Sequence, residues 1–145
     1  MRLKVKRLHE NAKLPTRAHN SDCGYDLYSI VDLHIKPHET VKIRTGIAVQ
    51  IEKDKDDYST YMIKIEERSS LGSIGFGKRA GIVDEGYTNE LIVCMTNHNE
   101  HSTSIGCGQK IAQFLIHKIY TPHIEEVEEL SDTDRGLKGF GSSGL

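Results

Sequence analysis

Apolar residues alternate with polar ones along most of this chain, and a repeat of two restricts those segments to β-strands. Leu3 and Val5 alternate with Arg2, Lys4 and Lys6. Val41, Ile43, Ile47, Ala48, Val49 and Ile51 form a long, mostly alternating run, and Tyr61, Ile63 and Ile65 alternate with Met62, Lys64 and Glu66. Successive side chains of a strand point to opposite faces, so each run turns one face inward and one to water. Leu91 to Met95 and Ile111 to Ile116 are more continuous, the pattern of strands buried on both faces. Turn residues separate the runs at Lys36-Pro37-His38, Lys53 to Asp57, Gly75 to Gly77, Asn97 to Glu100 and Gly106 to Gly108. Many short strands at this spacing predict an all-β sandwich, jelly roll or barrel. Ile124, Val127 and Leu130 recur at helical spacing, so Ile124 to Leu130 fits either strand or helix. Elsewhere at most one short helix is expected, starting at Ser69 or Ser70, where a hydroxyl caps free N–H groups.

A chain of 145 residues fits one domain and hides enough surface to fold without disulfides or metals. Nineteen basic against 21 acidic residues give a formal charge of −2, which carries no electrostatic footprint for nucleic acid or an anionic membrane. A small anion held by a few placed arginines is still compatible with it. The three cysteines, Cys23, Cys94 and Cys107, are widely spaced and form no CxxC pair, against both a disulfide framework and a zinc site. Met1 to Lys6 lacks the apolar run of a signal peptide, and no stretch is long enough to span a bilayer. The expected location is the cytoplasm, or the host cytoplasm for a viral protein. Residues 1–130 read as one β-domain. From Ser131 the chain is polar and glycine-rich, so residues 131–145 read as a flexible C-terminal arm unable to order itself alone.

Five segments carry residues suited to chemistry, each with a plainer reading beside it. Cys23-Gly24-Tyr25-Asp26-Leu27-Tyr28 sets a carboxylate after a glycine turn, where Asp26 either holds a hydrated hard cation or is an ordinary turn aspartate. Glu67-Arg68-Ser69-Ser70-Leu71-Gly72 offers a guanidinium and two hydroxyls at a helix start, fit for phosphate or for simple capping. In Ala80-Gly81-Ile82-Val83-Asp84-Glu85-Gly86-Tyr87, Asp84 follows an apolar pair; it is either a desolvated general base or a strand-ending aspartate. Tyr87 offers a flat ring for stacking. Gln113, inside the apolar strand Gly108 to Phe114, needs a partner, either a substrate or a neighbouring backbone group. Arg135 to Gly144 combines an arginine, an aromatic and two serines among glycines, an arm that can clamp phosphate and stack on a base, or a plain tail.

Taken in this order, the five segments resemble the motifs of the trimeric dUTPase family, from Cys23 to Gly144. The most specific are Arg68-Ser69-Ser70-Leu71-Gly72, Gly81-Ile82-Val83-Asp84-x-x-Tyr87 and Arg135-Gly136-x-x-Gly139-Phe140-Gly141-Ser142-Ser143-Gly144. The resemblance implies a jelly-roll-like distorted β-barrel and a homotrimer in which three subunits build each active site. It implies hydrolysis of dUTP to dUMP and pyrophosphate by Mg2+-assisted in-line attack of water on the α-phosphorus. In it, Asp84 orients and deprotonates the water, Tyr87 lies under the deoxyribose, and backbone groups around Gly81 pair with uracil in a hairpin too tight for the thymine methyl. Asp26 binds Mg2+ through water, while Arg68, Ser69, Ser70 and Gln113 hold the phosphate chain. Phe140 caps the uracil, Gly141 belongs to the same arm, and Arg135, Ser142 and Ser143 bind the γ-phosphate. This chain departs from the family's usual residues at Lys78 (asparagine in some relatives), Gln109 (aspartate), Lys138 (glycine) and Thr88-Asn89 (a basic-glycine pair).

A dCTP deaminase shares several motifs but resembles a family with a catalytic glutamate about ten residues after the aspartate, where this chain has Cys94. A regulatory protein-binding module on the same fold, with an unknown partner, is compatible with the sequence. His98-Asn99-Glu100-His101 lacks a third clustered ligand for zinc, and no GxxxxGK[ST] string marks a P-loop.

Overall fold

The computed structural model describes residues 1–134 and Gly136. Among these, ten strands and one helical turn follow the order β1 (Arg2–Arg7), β2 (Tyr25–Tyr28), β3 (Leu33–Ile35), β4 (Thr40–Glu52), β5 (Thr60–Glu66), α1 (Ser69–Gly72), β6 (Phe76–Lys78), β7 (Ile82–Asp84), β8 (Glu90–Asn97), β9 (Thr103–Ile105) and β10 (Lys110–Ile119). Two four-stranded sheets, β1-β4-β8-β6 and β2-β10-β5-β7, are joined by the small β3-β9 pair. Every pairing between these strands is antiparallel. The expected all-β architecture with a single short helix is what the described residues form.

Alternation works as the sequence implies. In β5, Ile63 and Ile65 are buried while Lys64 and Glu66 are half-exposed. One continuous core draws on both large sheets, with Ile43, Val49, Leu91 and Val93 from one meeting Ile63, Ile65, Phe114 and Leu27 from the other. Burying a side chain of this size contributes about 1.5–3 kcal/mol, so the sandwich is held mainly by this layer. The expectation that β8 is buried on both faces needs correction. Leu91, Val93 and Met95 are buried, but Ile92 and Cys94, on the opposite face, are only half-buried and line a pocket.

Alternation breaks once in β4, where Thr45 to Val49 are all buried. The register to β8 shifts between Arg44 and Ala48, and Gly46 takes φ +67° at that bulge. Its N–H donates to Glu90 at 2.8 Å, while Thr45 Oγ1 donates to the Leu91 carbonyl at 2.6 Å. A bulge leaves backbone groups out of the ladder, and these side chains take them up.

The helix begins at Ser69 as expected, but its cap differs. Arg68 occupies the N-cap position with no side-chain capping bond, and the helix is one turn of four residues. Ser69 and Ser70 are exposed instead. Ile124 to Leu130 forms neither helix nor strand, and Ile124 and Leu130 are about nine-tenths exposed (91% and 87%). The last described strand ends at Ile119, well before residue 130. No helix of the described residues is long and apolar enough to cross a membrane.

Candidate active site

Two pockets contain the sequence-predicted residues. The first forms where the chain leaves one sheet for the other. β6 pairs with β8, whereas β7 pairs with β5, so Arg79 to Gly81 must cross between sheets. Ala80 and Gly81 both take positive φ, +58° and +133°. Gly81 is required on a second count, because a Cβ there would lie 2.6 Å from the Ile65 carbonyl oxygen. The approach is close because the Ile65 N–H donates to the Gly81 carbonyl at 2.8 Å. A pocket of about 210 Å³ opens at this corner, lined by Lys78, Gly81, Asp84, Tyr87, Leu91 and Cys94 among others. The turn after β7 is closed by Tyr87 N–H donating to the Asp84 carbonyl at 3.0 Å. The Tyr87 hydroxyl donates to the Glu90 carbonyl at 3.0 Å, fixing the ring beside Asp84. Asp84 and Tyr87 are both exposed, so the desolvation expected around Asp84 is not supplied by the described residues.

The second pocket, about 300 Å³, lies where β2, β10 and α1 meet and is lined by Asp22, Gly24, Asp26, Arg68, Ser69, Lys110 and Gln113 among others. Asp26 is its centre and is buried at 8% exposure. Arg68 Nε donates to Oδ1 at 2.8 Å and Lys110 Nζ to Oδ2 at 2.6 Å. The hydrogen bond to Asp26 raises the Lys110 ammonium above its ordinary pKa. Arg68 Nη1 also donates to Ser70 Oγ at 3.2 Å, linking the exposed hydroxyl to the guanidinium. With one turn of helix behind it, an anion here is favoured by the cations and hydroxyls rather than by a helix dipole.

Gln113 has the plainer of its two expected partners, since its Nε2 donates to the Glu67 carbonyl at 2.9 Å. Its Oε1 lies over Gly24, where a Cβ would come within 2.2 Å, so glycine there makes room for the amide. That oxygen lacks a proton to offer, so Gln113 faces a phosphate only through the remaining N–H of its amide. Lys110 and Glu67 were not singled out in the sequence. The signal available for Lys110 was a charged residue opening an apolar strand, which usually marks nothing more than a strand end.

The donor set decides what kind of metal the second pocket accepts. Among the described residues no three His, Cys, Asp or Glu side chains cluster as a metal site. Asp26 already satisfies two cations, though each carboxylate oxygen keeps a further lone pair. Such an acceptor fits a hydrated cation that arrives with phosphate oxygens, and it does not fit a resident ion bound by protein alone.

The structure therefore brings Asp26, Arg68, Ser69 and Gln113 to one pocket, with Ser70 joined through Arg68. It brings Gly81, Asp84 and Tyr87 to another. The two pockets have no lining residue in common. Arg135, Phe140, Gly141, Ser142 and Ser143 lie outside the described residues.

Comparison with known proteins places the chain in a family. The family profile described as dUTPase matches residues 10–144. A deoxyuridine 5'-triphosphate nucleotidohydrolase of Clostridioides difficile is 40% identical over 99% of this chain and 98% of its own length. One of Gloeothece citriformis is 40% identical over 100% and 98%. Among solved structures, the Staphylococcus bacteriophage 80alpha dUTPase with dUPNHPP superposes with a TM-score of 0.90 at 32% identity, covering 99% of each chain. A variant of the phage phi11 dUTPase of S. aureus, which coordinates a structural Mg(II) ion, superposes at 0.81 with 27% identity, covering 91% of this chain and 100% of that one. The chain belongs to the dUTPase family, whose members use Mg2+, and it hydrolyses dUTP to dUMP and pyrophosphate.

Proposed function

We propose that this hydrolysis takes place in a site assembled from three copies of the chain in a homotrimer, with the described β-domain as scaffold and residues 131–145 as an arm that completes a neighbour's site. The observation that carries the proposal is the division of these groups between two pockets. The carboxylate suited to activating water lines one, the cations suited to holding phosphate line the other, and no residue lines both. Attack on the α-phosphorus needs both at once, which supports a second pocket drawn from another subunit. Exposure of Asp84 and Tyr87 in the single chain supports the same reading, since a subunit contact would supply the missing desolvation.

In this arrangement the nucleobase enters the corner pocket. The Gly81 carbonyl already accepts from Ile65, and its second lone pair is available to the base edge. Tyr87, held by Glu90, stacks under the deoxyribose and leaves no room for a 2′-hydroxyl. Asp84 takes a proton from the attacking water and orients its lone pair at phosphorus. Arg68, Ser69, Ser70 and Gln113 of the other subunit bind the triphosphate, and Asp26 accepts from water on Mg2+. When bound with the nucleotide, Mg2+ neutralises charge on the phosphate oxygens. Phe140 covers the base, Arg135, Ser142 and Ser143 reach the γ-phosphate, and Gly141 lets the arm approach closely. Positioning and charge neutralisation carry most of the acceleration.

Subunit mixing tests the proposal. Asp84→Asn and Arg68→Met chains, each nearly inactive alone, are unfolded together and reassembled. In random mixed trimers roughly a quarter of the sites draw an intact residue from each parent, and activity recovers to that fraction. Trimeric mixtures with no recovery above the parents would show that one chain supplies both groups.

A further inference from the structure

We infer that Lys110 is a further polyphosphate-binding residue, tethered by Asp26 so that its ammonium faces the phosphate chain beside Arg68. The inference rests on the proposed reading of this pocket as the phosphate site and adds to it Lys110, which lies inside the Gly108 to Phe114 segment but has none of the roles the resemblance implies.

Three observations converge. The first is a bulge. β10 pairs with β2 through Lys110 opposite Tyr28 and Gln113 opposite Asp26, with a register shift between Lys110 and Ala112. Residues three apart on a regular strand point to opposite faces. The extra residue re-aims the strand, and Lys110 and Gln113 both line the Asp26 pocket. The second is the tether. Lys110 Nζ lies 2.6 Å from Asp26 Oδ2, and Asp26 is itself fixed by Arg68 at 2.8 Å and by its own N–H donating to the Thr16 carbonyl at 2.8 Å. The Tyr28 ring lies 6.0 Å from the same ammonium, at the far edge of cation–π range. The third is spare capacity. An ammonium has three N–H donors, Asp26 takes one, and the side chain is 36% exposed. Two N–H donors therefore remain for other partners.

Charge points the same way. Asp22 and Asp26 with Arg68 and Lys110 sum to zero (−1 − 1 + 1 + 1) at this pocket. Without Lys110 the same lining would carry −1 and would repel a polyphosphate, so the lysine is what lets the pocket accept one.

The test compares Lys110→Met, Lys110→Arg and Arg68→Met for inhibition by pyrophosphate, which carries no base, and by dUMP, which carries one phosphate and the base. Thermal melting and sedimentation verify folding and assembly. Lys110→Met is expected to weaken pyrophosphate about tenfold or more, the scale of one charge-assisted hydrogen bond, and dUMP by less than about threefold. Lys110→Arg is expected to restore most of the pyrophosphate affinity. Should Lys110→Met fail to fold, Lys110→Gln keeps a donor to Asp26 and is read the same way. Unchanged pyrophosphate inhibition in a folded neutral variant would overturn the inference, as would equal weakening of pyrophosphate and dUMP, which marks general distortion. If Arg68→Met weakens pyrophosphate and Lys110→Met does not, the inference alone fails. If neither does, the pocket does not hold phosphate and the reading beneath it fails too.

Discussion

Replacing Gly81 with alanine asks the corner between the two sheets to accept one methyl group. Two costs are visible. At φ +133° an L-residue is in a region reserved for glycine, a strain of about 1–3 kcal/mol. The new Cβ would also stand 2.6 Å from the Ile65 carbonyl oxygen, which is backbone and cannot rotate away. Relief requires β7 to move off β5, weakening the 2.8 Å bond from Ile65 N–H to the Gly81 carbonyl, worth about 1 kcal/mol net. The sum is about 2–4 kcal/mol, which lowers the melting temperature of a chain this size by roughly 6–15 °C. Because β7 carries Asp84, a shift of about 1 Å would also reduce kcat/KM by about a hundredfold. Calorimetry at fixed subunit concentration and a pyrophosphate-release assay read the two effects separately. Gly86→Ala is the control, since nothing lies within 4 Å of a Cβ there, and it should be close to neutral. A Gly81→Ala protein that melts within about 2 °C of the parent and retains its kcat/KM would refute the steric reasoning.

Asp84→Asn should assemble and bind nucleotide normally but lose at least about a hundredfold in turnover, and near-normal turnover would remove Asp84 from the reaction. Deleting Arg135 to Leu145 should leave a folded trimer that hydrolyses dUTP very poorly; full activity in the truncated protein would show that the arm takes no part. The Tyr61 hydroxyl donates to Asp57 at 2.8 Å and, with the Ser59 backbone N–H, holds its carboxyl down at about 2. A depressed carboxylate stabilises the fold above its unfolded value of 3.8 and loses that contribution as pH falls toward 2. At about pH 3, carboxyl carbon NMR should therefore find Asp57 ionised in the parent and more protonated in Tyr61→Phe, whereas identical titrations would dismiss the hydrogen bond as the cause.

Much of the site was legible because its residues fall in short ordered segments whose chemistry is local. A carboxylate after Ile82-Val83 at the end of a strand, a guanidinium next to two serines, and a tyrosine three residues after the aspartate are visible without coordinates. The β-class was legible for the same reason, since alternation is a property of neighbours in the chain. It misled where the ladder is irregular or the sheet face is not fully covered. The buried run at Thr45 to Val49 follows from the Gly46 bulge, and Ile92 and Cys94 are half-buried on the face of β8 that lines a pocket. Ser69, expected to cap α1, is instead its first residue, and Arg68 holds the cap position while its guanidinium pairs with Asp26.

Sequence alone determined which segments become strands and which residues are equipped for phosphate, base and water chemistry, because both depend on residue type and on spacing over a few positions. Tertiary structure decided which of those residues meet. Asp26, Arg68 and Lys110 are far apart in the chain and converge through the β2–β10 register with its bulge and the β10–β5 pairing that sets Glu66 opposite Gln113. Asp84 and Arg68 are much nearer in sequence, yet they line different pockets, because β7 runs antiparallel to β5 and sets Asp84 opposite Met62, while Arg68 follows the other end of β5. Strand pairing is a contact between distant segments, and one residue of register reverses the face that a side chain occupies.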